Sequence, residues 1–492
     1  MTGRGEPGVA GVADVTAPAP GAEPVQAISF EVLTDPAGVP RARAMLQRAE
    51  WAARAFARYD KQAVDRVVHA AARAGAEKAR EYAEWAVRET GFGVAEHKVI
   101  KNLACSTGLV EAYATHDYVT PRFDPASKIV EVPRPAGVVL ALTPSTNPVA
   151  SVYFKALLAL MTRSAVVISP HPQARECCAD AARTLEHAAV AAGAPDGVIQ
   201  VVDHPSVPLI DALMTDERTS VIVATGGSPV VRAAYSSGTP AIGVGPGNVP
   251  VLVDATADLA QAAKRIVESK SFDNSILCTN ESVLIVEDSV ADGLLRHLKR
   301  EGAYLLDPGE AGRIAALLFP GGRFDVRFVG KDAPLIAAEA GLRVPGTTKV
   351  LLAPFSLVVP EQPLAHEKLC PVLGLVRVPN ARRGIDAARA VLASKIISML
   401  DPQHAFLINR NKIGSMALAG ESLFVLEMQP ASYAILAANE AEKAARIQVV
   451  DYRMIGATGR VYLSGSEADV RQAADAAEGA LRSSKTAEWS PA

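Results

Sequence analysis

Between residues 137 and 224 the chain repeats one pattern, a short unbroken run of branched apolar residues followed by a helical stretch. Gly137-Val-Val-Leu-Ala-Leu142 reads as a strand, and 149–161 as a helix. Ala165-Val-Val-Ile-Ser169 is the next strand, and 173–192 a long helix. Residues 198–202 and 220–224 continue the strands, with 207–214 helical between them. A strand that is apolar on both faces must be covered on both, and helices between such strands provide parallel crossovers. The rhythm restarts after Pro250 with strand 251–254, helix 259–268, strand 283–286 and helix 290–300. The fold class is therefore α/β, with two domains built on parallel sheets.

Outside this rhythm the signals are plainer. Residues 1–26 are rich in Gly, Pro, Ala and Val without a sustained period, and read as a disordered leader. Residues 38–115 carry apolar side chains at helical spacing, as at Val64, Val67, Val68 and Ala71, and form a helical layer. Residues 127–132 alternate as an exposed strand does. Residues 448–452 and 460–463 are strands, and 467–481 a helix with Val470, Ala473, Ala474, Ala477 and Leu481 on one side. No internal repeat is evident.

At 492 residues the chain is long enough for roughly two to four domains. A formal net charge of −3 argues against nucleic acid or an anionic membrane as partner. No apolar run reaches the ~20 residues that a membrane helix needs, and the N-terminus lacks a secretory pattern. Five cysteines, with no Cys-x-x-Cys and no His-x-x-x-His nearby, argue against a metal site and for reduced thiols in the cytoplasm. Cys177 and Cys178 lie in an Ala-rich helical stretch and read as packing residues.

Cys278 is different. It ends the small polar run Ser269-Lys-Ser-Phe-Asp-Asn-Ser-Ile-Leu-Cys278, just before a strand. A thiol on such a turn, with backbone N–H groups beside it, suits a nucleophile, whereas most free cysteines are inert. Gly243-Val-Gly245-Pro-Gly247-Asn248 lies between two strands and fails the strand–helix context of a dinucleotide fingerprint. Ala224-Thr225-Gly226-Gly227-Ser228 follows a strand and opens a helix, where free N–H groups favour an anion; an ordinary turn is the alternative. Pro144-Ser-Thr-Asn147-Pro148 ends the first parallel strand, where ligands gather in open α/β sheets. Asn147 is either a turn former or an amide donor. Glu367, in His366-Glu-Lys-Leu-Cys-Pro-Val-Leu373, is by default a solvated charge.

Together these segments resemble the aldehyde dehydrogenase superfamily, in its CoA-acylating branch. Ala224-Thr-Gly-Gly-Ser-Pro229, Ala234-Tyr-Ser-Ser-Gly-Thr-Pro-Ala-Ile-Gly-Val-Gly-Pro-Gly-Asn248 and the run Ser271-Phe-Asp-Asn through Cys278 carry the likeness, which extends from about Gln47 to Leu463. The resemblance implies two Rossmann-like domains and a β oligomerisation arm. Residues 27–245 would bind the cofactor, with 431–447 returning to that domain and strand 127–134 joining the arm. Residues 246–430 would carry the thiol, 448–466 the arm, and 467–492 a C-terminal helix and tail. Cys278 would be the nucleophile, Asn147 the oxyanion donor beside the Cys278 N–H, and Glu367 the ligand of the nicotinamide ribose. Gly226, Gly227 and Ser228, with Thr225, would lie over the pyrophosphate, and Thr143, Pro144, Ser169 and His171 would line the cofactor site.

Two departures matter. Hydrolytic relatives carry Glu-Leu-Gly-Gly where this chain has Val244-Gly-Pro-Gly247, so the general base for water is replaced by valine. Where NAD-preferring relatives have Lys-x-x-Glu, this chain has Ser169-Pro-His-Pro172, which leaves NAD against NADP open. The resemblance thus implies oxidation of a short-chain aldehyde with NAD or NADP and coenzyme A to an acyl-CoA, reversibly, through a cysteine thioester. The alternatives are a hydrolytic enzyme releasing the free acid, an anionic substrate such as sulfoacetaldehyde or succinic semialdehyde, and an idle shell-associated paralogue. A homodimer or homotetramer is expected. The leader and the C-terminal helix are candidate targeting segments for a bacterial microcompartment shell.

Overall fold

The computed structural model describes residues 38–356, 358, 362–389, 395–397, 421–428, 433–455 and 458–487. The leader and residues 27–37 lie outside them. The described residues open with five helices, α1 (Gly38–Phe56), α2 (Lys61–Glu77), α3 (Ala79–Thr90), α4 (Ala95–Ala104) and α5 (Thr107–Ala112). The Asp60 carboxylate caps α2 by accepting from Ala63 N at 2.8 Å, and Gly91, at φ 70°, closes α3. An exposed antiparallel pair follows, β1 (Arg122–Asp124) and β2 (Ile129–Glu131).

The first α/β unit then runs β3 (Val138–Leu142), α6 (Pro148–Met161), β4 (Ala165–Ser169), α7 (Arg175–Ala191), β5 (Ile199–Val201), α8 (Val207–Thr215), β6 (Thr219–Thr225), α9 (Ser228–Ser236) and β7 (Ala241–Val244). Its sheet has the order β5-β4-β3-β6-β7, parallel throughout. Every residue of β3 and β4 is buried, as the unbroken apolar runs require. Cys177 and Cys178 are fully buried in α7. Because the chain leaves β3 toward one edge and returns at β6 toward the other, a crevice opens between the carboxyl ends of these two strands.

A second parallel sheet, ordered β10-β11-β12-β9-β8, follows. Its elements are β8 (Val249–Val253), α10 (Leu259–Ser271), β9 (Glu281–Glu287), α11 (Asp288–Glu301), β10 (Ala303–Leu305), α12 (Pro308–Leu318), α13 (Ala333–Glu339), β11 (Val350–Pro354), β12 (Val372–Val378) and α14 (Ala381–Arg389). The expected α/β class with two parallel sheets holds.

The C-terminal segment forms a sheet of its own. β13 (Lys395–Ile397), β14 (Ser422–Met428), β15 (Ile447–Ile455) and β16 (Thr458–Gly465) form one antiparallel sheet in the order β13-β14-β16-β15. Helix Tyr433–Ala444, expected to return to the cofactor-binding domain, packs instead on β15, β16 and helix Glu467–Ala487. Phe424, Ala437, Val461, Leu463, Val470 and Ala477 belong to a core of this unit's own. Residues 447–455 and 458–465 are therefore strands of a small α+β module. The apolar face of these strands is covered by two helices of their own segment. The apolar side of the last helix is spent in that core.

Candidate active site

The thiol loop grows out of α10. Asp273 (φ 49°), Asn274 (φ 51°) and Ser275 (φ 59°) are three successive non-glycine residues in the left-handed region. Such backbone costs on the order of 1–2 kcal/mol per residue, so the surroundings must hold it. The fully buried Asp273 carboxylate accepts from Val94 N at 2.6 Å, from Lys98 Nζ at 3.1 Å and from Lys101 Nζ. Asp273 N donates to His97 Nδ1 at 2.8 Å, and Asn274 Nδ2 donates to Gly330 O at 2.9 Å. Helix α4 thus grips the loop through His97, Lys98 and Lys101, on neighbouring turns of one face. Cys278 follows on a half-buried turn before β9.

The opposing wall comes from the first unit. After β3 the chain passes Thr143 and Pro144 to Asn147, and Pro148 opens α6. Asn147 Oδ1 accepts from Lys101 Nζ at 2.5 Å. His171 Nδ1 accepts from Gln173 N at 3.2 Å, and burial lowers its pKa, so the ring is held neutral with Nε2 as donor. At the end of β6, Gly226 N donates to Val244 O at 3.2 Å and is therefore not free for an anion. Helix α9 starts at Ser228 without a side-chain cap.

Every residue expected from the sequence to act in catalysis or cofactor binding lines one cavity of about 700 Å³ except Ser228, which heads α9. Cys278, Asn147 and Glu367 share its wall. Two features suit a dinucleotide there. Thr143 Oγ1 is buried at the strand end without a partner among the described residues, and the uncapped N-terminus of α9 favours a pyrophosphate.

Burial raises the pKa of the Cys278 thiol, the Glu367 charge adds to it, and the cysteine's own backbone N–H opposes it weakly. The expectation that loop dipoles favour the thiolate is thus outweighed. Glu367 is no solvated charge either. It is half-buried with its pKa raised by burial, and Oε1 accepts from Gly247 N at 3.2 Å. Its loop is braced by two fully buried lysines. Lys368 Nζ donates to Leu364 O and His366 O, both at 2.6 Å, and Lys270 Nζ donates to Lys368 O at 3.2 Å. Burial lowers Lys270 to about 8.

Sequence reasoning missed Lys98, Lys101 and Lys155. Lys155 Nζ donates to Leu142 O at 2.5 Å and Val223 O at 2.9 Å, bridging the carboxyl ends of β3 and β6, and burial lowers it to about 7. A lone lysine in the otherwise apolar α6 was a usable signal. Lys98 and Lys101 offered none, since lysines on an amphipathic helix normally face solvent.

With this geometry in hand, comparison with known proteins is informative. The aldehyde dehydrogenase family matches residues 32–308, and the BMC domain matches residues 422–489, a range that holds the described strands β14, β15 and β16. The bifunctional aldehyde-alcohol dehydrogenase AdhE of Escherichia coli K12 is 38% identical over 351 residues, covering 71% of this chain and 39% of the relative. The chain thus spans about two fifths of the length of that relative. The sulfoacetaldehyde dehydrogenase (acylating) of Cupriavidus necator is 34% identical over 398 residues, 79% of this chain and 80% of the relative. The crystal structure of an acetylating aldehyde dehydrogenase from Geobacillus thermoglucosidasius aligns with a TM-score of 0.70 at 38% identity, covering 72% of this chain and 79% of that one. The cysteine turn, the crevice at the strand ends and these matches together establish that the chain belongs to the aldehyde dehydrogenase family.

Proposed function

We propose that this chain is a CoA-acylating aldehyde dehydrogenase, carried on a microcompartment shell by its C-terminal module. The observation that carries the first part is the composition of the wall around Cys278. Val244 lines the cavity where hydrolytic relatives hold their base, and Glu367, whose charge reaches the thiol, is engaged by Gly247 N.

In this reading the Cys278 sulfur, once deprotonated, attacks the aldehyde carbon. Asn147 Nδ2 and the Cys278 N–H donate to the resulting oxyanion, and one such donor is worth about 10²–10³ in rate. The nicotinamide cofactor, when bound, supplies the acceptor for the hydride. The acyl group then stays on Cys278 as a thioester, because Val244 stands where hydrolytic relatives hold the base that activates water. Attack by the coenzyme A thiol expels Cys278 as thiolate and yields acyl-CoA, and the same steps run in reverse. Glu367 would hold the nicotinamide ribose, and Thr143, Pro144, Ser169, His171, Thr225, Gly226, Gly227 and Ser228 the rest of the dinucleotide.

The described lining carries two carboxylates, Asp211 and Glu367, and no lysine or arginine. That favours an uncharged short-chain aldehyde over sulfoacetaldehyde or succinic semialdehyde, whose anionic ends need a cation. Product analysis tests the chemistry: acyl-CoA should form with coenzyme A present, and turnover should stall after one equivalent without it. Steady release of free acid without coenzyme A would sink the proposal.

The match of residues 422–489 to the BMC domain, with a core separate from both α/β units, supports attachment to a shell. Co-expression with shell proteins and density-gradient isolation test this. Activity that stays wholly in the soluble fraction would count against it.

A further inference from the structure

Asn147 stands between two cavities. One is the large cleft that holds Cys278. The other is a water-sized void of about 10 Å³ lined by Lys98, Lys101 and Asn102 among others, three residues that do not line the large cleft. Of these, Lys101 donates through Nζ to Asn147 Oδ1 at 2.5 Å. The contact has a definite chemical consequence. An ammonium group has donors only, so the amide atom it meets must be the oxygen. Oxygen and nitrogen lie on opposite sides of the planar amide, so fixing Oδ1 toward Lys101 turns Nδ2 the other way. Nδ2 has one partner among the described residues, Thr146 Oγ1 at 3.4 Å, which leaves its second hydrogen free.

We propose that Lys101 is a positioning residue that sets the orientation of the Asn147 amide, so that the side chain presents a donor to the Cys278 cleft and not an acceptor. An inverted amide would aim a lone pair at the developing oxyanion and repel it. The same ammonium group is bound to Asp273, whose backbone begins the left-handed turn leading to Cys278. One cation on α4 therefore ties the amide donor of the first unit to the thiol loop of the second. Lys98, which reaches Thr146 O at 3.2 Å and Asp273 Oδ2 at 3.1 Å, keeps that carboxylate neutralised when Lys101 is replaced.

The inference rests on the reading of Asn147 as the oxyanion donor, and a double-mutant cycle on the full-length chain separates the two. Single-turnover hydride transfer with a short aldehyde is measured for wild type, Asn147→Ala, Lys101→Met and the double variant, alongside KM values for cofactor and coenzyme A. Asn147→Ala should slow hydride transfer by about 10²–10³-fold. Lys101→Met should slow it by about 10–100-fold, as a misaligned group does, with both KM values unchanged. In the double variant the loss should equal that of Asn147→Ala alone. If Lys101→Met costs the same factor in both backgrounds, its role is structural and the proposal is overturned. If Asn147→Ala leaves the rate intact, the donor reading itself falls, and the proposal with it. Should Lys101→Met not fold, the same cycle is run with Lys101→Gln under the same criteria.

Discussion

A Cβ built on Gly247 would stand 2.9 Å from the carbonyl oxygen of Cys278, inside the closest approach that a side chain tolerates. The glycine strand-connector and the thiol turn are packed backbone to backbone, and the same glycine gives its N–H to Glu367. Gly247→Ala must push the turn away, because the atom it would meet at 2.9 Å is a backbone carbonyl oxygen and not the end of a flexible side chain. A displacement of this kind near reacting atoms costs about 10²-fold in kcat. Steady-state assay of the variant, with circular dichroism to establish an intact fold, checks this expectation.

Glu367 and burial together hold the Cys278 thiol protonated near neutral pH, above its ordinary range. Alkylation of the ligand-free enzyme by iodoacetamide should therefore be slow near neutrality and quicken as pH rises past the usual thiol range. Glu367→Gln removes one of the two causes and should shift that profile to lower pH, speeding labelling severalfold at neutral pH, since one pKa unit is tenfold in thiolate. An unchanged or higher-pH profile would show that the carboxylate does not act on the sulfur.

Asp273 satisfies Lys98, Lys101 and the Val94 N–H with one buried carboxylate. Asp273→Ala leaves two buried ammonium groups without their counter-ion, a change that costs about 3–5 kcal/mol. Urea unfolding should register the loss, and Cys278 labelling should lose its single-rate behaviour as the left-handed turn relaxes. A variant as stable as wild type would mean that the loop is held by other contacts.

Lys155 is buried beneath the crevice with its pKa lowered from 10.5 to about 7. Between those values the unfolded chain binds a proton that the folded one does not. Through this residue, stability rises with pH from about 7 upward, and the penalty is full below that. Lys155→Met should flatten this part of the dependence. Denaturation midpoints of wild type and variant, compared across the range, should converge as pH rises if Lys155 carries the effect, apart from the loss of its two hydrogen bonds.

Much of this protein was legible in its residues. Unbroken Val and Ile runs between helices demand a parallel sheet covered on both faces, and both sheets appear where those runs lie. The cysteine turn, Asn147 at a strand end and Glu367 in its loop carry a family likeness strong enough to bring the cleft together on paper. The strands at 447–465 were legible as strands, but not their partners. Pairing depends on which apolar faces find each other across segments distant in sequence.

What only the tertiary structure decided is charge. Nothing in the sequence marked Lys98, Lys101, Lys270 or Lys368 out, yet Lys98, Lys155, Lys270 and Lys368 are buried and Lys101 is largely so. Sequence determines which helix a lysine rides on. Whether its ammonium group meets water, a carboxylate or a row of carbonyl oxygens depends on segments far away in the chain, such as Asp273 for Lys101 and Val223 for Lys155. Low-dielectric surroundings then set its proton affinity and its reach, and among these lysines only Lys155, in the apolar α6, carried a local hint of it.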